Sequence, residues 1–332
     1  VALYALWILV LSGFNRVGAE RWWFGAFNLY LPQVVWAVPG ALLLAAAVRV
    51  RSRWAWVAAL CLGWVLGPVM GFHWTGPEPA RPGAPAPVRV MTCNAKYGPH
   101  DGRELIKDIE RHRPQLVLLQ DAPGILHGPL APFFRGWKVC SFEQYVIASR
   151  GPVTDVKVLW ARYPGGKLPV LRCVARLEGK PVACYSVHLQ SPRESLNAFR
   201  PDPADNWRPL EAIRELEQGA RVRFLQAQAL RRLVEAETGA VLVAGDLNSP
   251  EASRVCATLE EAGLQDAFSQ AGRGYGYTYG HFLLRHRIPW LHWSWMRLDH
   301  LLASRQIQVL RCWVGTRKAS DHRPVFADLV WR

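Results

Sequence analysis

The first 74 residues are patterned differently from everything that follows. Three runs almost free of charge, residues 1–14, 29–48 and 54–72, are separated by short charged loops. The second and third approach the ~20 residues a helix needs to cross a hydrocarbon core. The first is shorter, and a signal peptide would also be apolar there, but a basic leading segment is lacking and two further runs follow. A helical hairpin buried in a soluble protein would show the same second and third runs. Tryptophans crowd the region, and several, among them Trp22, Trp23, Trp54 and Trp74, flank the runs as interfacial anchors do. The pattern predicts a transmembrane anchor of two to three helices over residues 1–74. Arg49, Arg51 and Arg53 fill the second loop, whereas the first holds Arg16, Arg21 and Glu20. The positive-inside rule places the three-arginine loop in the cytoplasm. The expected topology is multi-pass in the cytoplasmic membrane, with the rest of the chain on the extracytoplasmic side.

Residues 75–87 (TGPEPARPGAPAP) carry no apolar periodicity and read as a semi-extended linker. Beyond it, short apolar strands alternate with helices. Strands are predicted at 88–93, 115–120, 144–149, 241–244, 298–303 and 325–330, and a hairpin over 171–187 turns at Glu178-Gly179. Residues 101–112 form a helix with Leu105, Ile106 and Ile109 on one face, and 211–237 form a longer one with Gly219 as its weak point. Ser249 caps a further helix that has Pro250 in its first position and ends at Gly263. Residues 191–218 are a polar insertion suited to a rim or lid. Many short strands with interspersed helices predict a layered α/β sandwich over 88–332.

Charge and cysteine content sharpen this only partly. The formal net charge is +14, of which +11 falls beyond residue 80. Such a surplus suits a polyanion such as nucleic acid or phospholipid, and equally a solvated surface beside an anionic membrane. The seven cysteines form no CxxC pair or zinc-spaced array. The hairpin turn sets Cys173 opposite Cys184, which leaves open a disulfide or two small buried residues.

The chemistry shows in where polar residues interrupt the apolar strands. Asn94 ends the first strand, and Gln120-Asp121 end the next. His188 lies on CYSVHLQ, and Asp246 and Asn248 follow a buried strand in VLVAGDLNSP. Asp299 opens another strand in MRLDHLL, and ASDHRPV supplies Asp321 and His322. An ionisable group at the end of a buried strand loses hydration unless it is paired or metal-bound. One such aspartate is usually a turn or cap residue. Six such places in one domain point to a site. GYGYTY (274–279) suits contact with a substrate base or sugar, or a structural loop, and the tryptophan- and histidine-rich stretch 286–295 suits a cleft wall, a bilayer contact or plain packing. Arg221, Arg223, Arg231 and Arg232 read as the solvated face of a helix.

The ordered set CN…QD…VHL…GDLN…RLDH…SDHRPV resembles the endonuclease/exonuclease/phosphatase superfamily, the DNase I-like fold, over nearly all of 88–332. GDLN and SDHRPV are its most specific parts. The resemblance implies a two-layered β-sandwich flanked by helices that hydrolyses phosphate esters with Mg²⁺ or Mn²⁺. It implies that Asp121, Asn94 and Asp321 hold the metal, with Asn94 also touching phosphate. It gives Asp246 the attacking water, which Asn248 helps to hold. His188 contacts phosphate or protonates the leaving group, and Asp299 orients and charges His322, which stabilises the phosphorane. These roles suit in-line attack, which builds negative charge on non-bridging oxygens. The family has Gln-Glu where this chain has Gln120-Asp121, one methylene shorter, so the metal sits nearer the strand or is met through water. The expected activity is membrane-anchored phosphodiester hydrolysis, on nucleic acid ahead of phospholipid. The rival from another class is a non-catalytic membrane protein that binds a polyanion.

Overall fold

A computed structural model describes residues 1–79, 86–96, 102–126, 131–199, 209–280, 293–315 and 320–332. The strands are β1 (Val88–Asn94), β2 (Leu116–Gln120), β3 (Lys138–Phe142), β4 (Tyr145–Ser149), β5 (Val153–Tyr163), β6 (Gly166–Leu177), β7 (Lys180–His188), β8 (Ala240–Asp246), β9 (Leu264–Asp266), β10 (Asp299–Ser304), β11 (Ile307–Val314) and β12 (Val325–Trp331). They form two six-stranded sheets, ordered β11-β12-β1-β2-β4-β3 and β5-β6-β7-β8-β10-β9. The helices are α1 (Ala2–Val17), α2 (Trp23–Tyr30), α3 (Ala37–Arg49), α4 (Trp54–Trp64), α5 (Arg103–His112), α6 (Arg193–Asn197), α7 (Pro209–Glu235), α8 (Arg254–Glu260) and α9 (Ala267–Ala271).

The central strands read as unbroken apolar runs because both of their faces are covered. In β8, Ala240, Leu242 and Ala244 enter the core between the sheets, while Val241 and Val243 pack outward with Ala227 and Leu230 of α7. In β2, Leu116 and Leu118 point inward, and Val117 and Leu119 meet Leu105 and Ile109 of α5. The period-2 pleat thus divides one run between two cores.

The predicted hairpin is present, with Cys173 paired directly with Cys184 in its register. Both are free thiols in the buried core. Three local readings are corrected. The helix after β8 begins later than expected: Ser253, not Ser249, caps it by accepting from Cys256 N at 3.2 Å. Helix α7 runs through Gly219 unbroken, and a Cβ there would lie 3.0 Å from Ser195 Oγ, so the glycine lets α6 sit close. Arg223 also departs from the solvated face assigned to it, being 1% exposed.

The N-terminal runs fold differently from three straight spans. No single helix there is long and apolar enough to cross a membrane. The second run is divided between α2 and α3, and the pair passes that test only together, bent by 105°. The bend follows from Pro32, which holds Leu31 in an extended conformation (φ −73, ψ 149). The third run continues past α4 as a π-helical turn, Val65–Val69, around Pro68. Nearly all of the large apolar side chains left exposed among the described residues precede residue 75, including Leu3, Leu9, Leu42, Trp56 and Leu60.

These helices lie against the sandwich. Glu20 accepts from Arg254 N, and the hydroxyls of Tyr275 and Tyr277 donate to Leu66 O and Met70 O at 2.9 and 2.8 Å. The segment read as a linker is also docked at its start, where Thr75 Oγ1 donates to Gly272 O and Glu78 N to Leu310 O. Its residues 80–85 lie outside the described residues.

A buried ionic network joins this junction to the second sheet. The Arg297 guanidinium bridges Asp266 (2.7 Å) and Glu251 (2.6 Å); Glu251 also meets His73, and His300 meets Asp266 at 2.9 Å. Burial disfavours charge on His300, but the Cys256 sulfur and the Asp266 carboxylate outweigh it and hold the imidazole up at about 10. Breaking such a pair strands a buried charge, so Arg297→Ala should lower stability by about 3–5 kcal/mol in urea titrations. The folded pKa of His300 exceeds the unfolded value of ~6.5, so its contribution is complete below about pH 6.5 and fades as pH rises toward about 10. The wild-type thermal midpoint should decline over that window more steeply than that of His300→Gln.

Candidate active site

Strand register places the polar residues at one edge of the sandwich. The parallel pair β1–β2 ends with Asn94 beside Gln120, and the parallel pair β7–β8 ends with His188 beside Asp246. β10 runs antiparallel to β8 and starts with Asp299 opposite Asp246. Gly245 makes this convergence possible, because a Cβ there would lie 1.9 Å from Val187 O. The two sheets meet where Asn94 Nδ2 donates to Asp246 Oδ2 at 2.9 Å.

Asp246 is 1% exposed and sits at the centre of the cluster. Its Oδ1 accepts from Asn248 N at 2.8 Å, and its Oδ2 lies 3.6 Å from both His188 Nε2 and His322 Nε2. Burial raises the Asp246 carboxyl above the ordinary range, with His322 acting against that shift. His188 Nδ1 donates to Gln144 Oε1 at 2.7 Å, which leaves Nε2 toward the cluster. His322 Nδ1 lies 2.7 Å from Asp299 Oδ2, while Thr278 Oγ1 accepts from the Leu298 and Asp299 amides. Burial alone would lower the imidazole pKa, but Asp299 and Asp246 reverse this and push it up to about 9.

The cluster opens into a cavity of about 400 Å³ whose lining includes Asn94, Asp121, His188, Asp246, Asn248, Asp321 and His322. Asp299 lies behind this wall and reaches it through His322. Asp121 sits on a left-handed backbone (φ 48), a conformation that aspartate tolerates better than most residues. Gln120, its partner in the motif, points away: it is fully buried and donates to Ser186 Oγ at 2.9 Å. Asn94 has little freedom as a ligand, since its Oδ1 accepts from Lys96 N and its Nδ2 is bound to Asp246. Asp321 Oδ2 is shared by Lys96 Nζ and Arg193 Nη2. Burial would raise the Asp321 carboxyl, but His322 and Lys96 hold it below the ordinary range.

The tightest set of potential metal-ligating atoms among the described residues is Asp246, Asp299 and His322, all within 4.8 Å of one another. It differs from the set expected from the sequence, and within it Asp299 Oδ2 and His322 Nδ1 already satisfy each other. Asp299 Oδ1 and Asp321 Oδ1 are buried carboxylate oxygens with no hydrogen-bond partner among the described residues. The unmet Asp321 oxygen, in the same cavity lining as Asp121, Asp246 and Asn248, belongs to a hard, oxygen-rich donor set of the kind Mg²⁺ and Mn²⁺ prefer.

Several participants were missed in the sequence. Gln144 holds His188, Ser320 Oγ donates to Asn94 O at 2.6 Å, and Lys96 and Arg193 place positive charge at the mouth. Tyr279, within the flagged aromatic segment, lies against the His322 ring with centroids 4.7 Å apart. Of the tryptophan- and histidine-rich stretch, Trp295 is buried packing, while His286, Trp290 and His292 lie outside the described residues. Residues 193–197 of the polar insertion form α6, which walls the cavity.

Residues 91–322 match the Endonuclease/Exonuclease/phosphatase family. The chain belongs to that family. A search of curated proteins finds no match. Among solved structures, an endonuclease/exonuclease/phosphatase from Bacteroides vulgatus is 18% identical, with a TM-score of 0.57 over 75% of this chain and 100% of the other. D. rerio TDP2 complexed with single strand DNA product is 14% identical, with a TM-score of 0.54 over 73% of this chain and 98% of the other. Truncated Caenorhabditis elegans TDP2 is 19% identical, with a TM-score of 0.51 over 73% and 97%. At these identities the likeness shows the fold, the DNase I-like pair of sheets. Membership in the endonuclease/exonuclease/phosphatase family brings phosphoesterase chemistry to the chain.

The pairing of Asp299 with His322 has a direct test. In Asp299→Asn the His322 imidazole should titrate markedly below about 9, toward the ordinary histidine range, as followed by NMR. An unmoved titration would mean that Asp299 does not set its charge.

Proposed function

We propose that this chain is a divalent-metal-dependent phosphodiesterase that acts on nucleic acid and is held at a membrane by its N-terminal helices. The observation that carries the catalytic part is Asp246, buried between two histidines and fixed by Asn94 and Asn248. Asp121 and Asp321 would hold Mg²⁺ or Mn²⁺, with Asn94 shaping the site through its bond to Asp246, and the ion would supply charge neutralisation at the phosphate. Asp246 orients the attacking water and takes its proton, with Asn248 beside it. His322, charged through Asp299, stabilises the negative charge that builds on the phosphoryl oxygens. His188, held by Gln144, faces the same space and serves the phosphate or the leaving oxygen.

Nucleic acid is favoured by the +11 charge beyond residue 80 and by the Lys96 and Arg193 side chains at the mouth. The structurally similar D. rerio TDP2 holds a single strand DNA product. Membrane attachment is favoured by the apolar side chains left exposed on α1, α3 and α4, with Arg49, Arg51 and Arg53 grouped at one end. The three-arginine loop is then cytoplasmic and the catalytic unit extracytoplasmic. A reporter fused near Pro79 reads this directly, and a cytoplasmic signal would overturn it.

Hydrolysis of bis(p-nitrophenyl) phosphate should require Mg²⁺ or Mn²⁺ and stop with EDTA. Asp246→Ala and His322→Ala should each lower turnover by roughly 10²–10⁴-fold. Turnover independent of metal, or unchanged in both variants, would sink the enzyme reading. Plasmid DNA should be cleaved in preference to anionic phospholipid vesicles, and the reverse order would reassign the substrate. Since the working His322 is protonated, turnover should fall as pH rises through about 9.

A further inference from the structure

Tyr30 ends α2, far from the catalytic motifs in sequence and outside the residues 91–322 that match the family. It is 6% exposed, yet it belongs to the lining of the catalytic cavity. Its hydroxyl donates to Asn248 O at 2.8 Å. Tyr30 is itself held, since its backbone carbonyl accepts from Trp295 Nε1 at 3.1 Å and the buried Arg223 guanidinium lies 5.6 Å from its ring centroid. Leu29 and Trp295 pack in the same small core.

The recipient of that hydrogen bond is unusual. Asn248 has a left-handed backbone, φ 49, a conformation that asparagine tolerates better than most residues, and three hydrogen bonds hold it there. Its amide N–H is bound to Asp246 Oδ1 and its Nδ2 to Leu189 O at 2.9 Å. Those two contacts come from the catalytic sandwich. The contact to the carbonyl comes from the N-terminal helices.

We propose that Tyr30 is a positioning residue of the active site, clamping the Asn248 carbonyl so that the Asp246–Asn248 turn keeps its catalytic geometry. The N-terminal helical segment is then a working wall of the site as well as an anchor. A shift of α2 moves Tyr30 and loosens this turn, so the seating of these helices sets catalytic competence. The catalytic half of this inference rests on the phosphodiesterase reading above.

The test uses the full chain with Tyr30→Phe, which removes one hydroxyl and keeps the ring. Tyr4→Phe is the control, because Tyr4 also spends its hydroxyl on a backbone carbonyl, Trp36 O, but away from the cavity. With bis(p-nitrophenyl) phosphate and Mg²⁺, Tyr30→Phe should lower kcat by roughly 10- to 100-fold with KM nearly unchanged. Amide exchange in the peptide spanning 246–250, read by mass spectrometry, should quicken by about tenfold. Tyr4→Phe should change neither. Wild-type kcat and unchanged exchange in Tyr30→Phe would overturn the proposal. So would equal effects in Tyr4→Phe, or a loss explained wholly by a smaller folded fraction. If the wild-type chain shows no turnover, the phosphodiesterase reading fails, and the exchange measurement alone decides whether Tyr30 holds the turn.

Discussion

The desolvation of Asp246 is the constraint on which the rest of the site depends. A carboxylate at 1% exposure loses most of its hydration, and the fold returns it through donors from separate parts of the chain. Asn94 reaches it from the other sheet, Asn248 from the turn that follows, and two imidazoles stand 3.6 Å away. The same hydrogen bonds that offset burial also fix the orientation of the carboxylate. Folding and catalytic geometry are therefore one problem here. Replacing any of these donors alters both at once.

Two polar systems meet around residues 297–300. His322 and Asp299 form a buried pair whose charge is set by the opposing effects of burial and neighbouring carboxylates. Asp266, Arg297, His300 and Glu251 form a second network, immediately next to it in sequence and directed toward the N-terminal junction. Residues 297–300 thus divide between the two, with Asp299 serving the cavity and Arg297 and His300 serving the junction. The opposite facing of Asp299 and His300 follows from the pleat of the strand that begins at Asp299, whereas Arg297 lies before that strand.

The N-terminal segment changes character between sequence and structure. Its apolar runs and arginine loop are visible from composition, but the kink at Leu31-Pro32 and the docking of Tyr30 are not. Tyr30 reads locally as one more aromatic residue in an apolar stretch. Its relation to Asn248, 218 residues away, exists only after both segments pack. Arg223 shows the same limit: helical spacing placed it with solvated arginines, whereas the packing of α2 on α7 buries it.

The sequence by itself determined the strands, because period-2 and continuous apolar runs are local signals, and it marked the polar residues that end them. Asn94, Asp121, His188, Asp246, Asn248, Asp321 and His322 line one cavity, with Asp299 behind it. The motifs that carried the family resemblance named all eight. Only the tertiary structure decided how they divide the work of contact. Gln120 turns into the core, Asn94 is spent on Asp246, and Gln144, Lys96, Arg193 and Tyr279 enter without a motif to announce them. Contacts of that kind depend on strand order and the meeting of two sheets, and neither is encoded in any short stretch of residues.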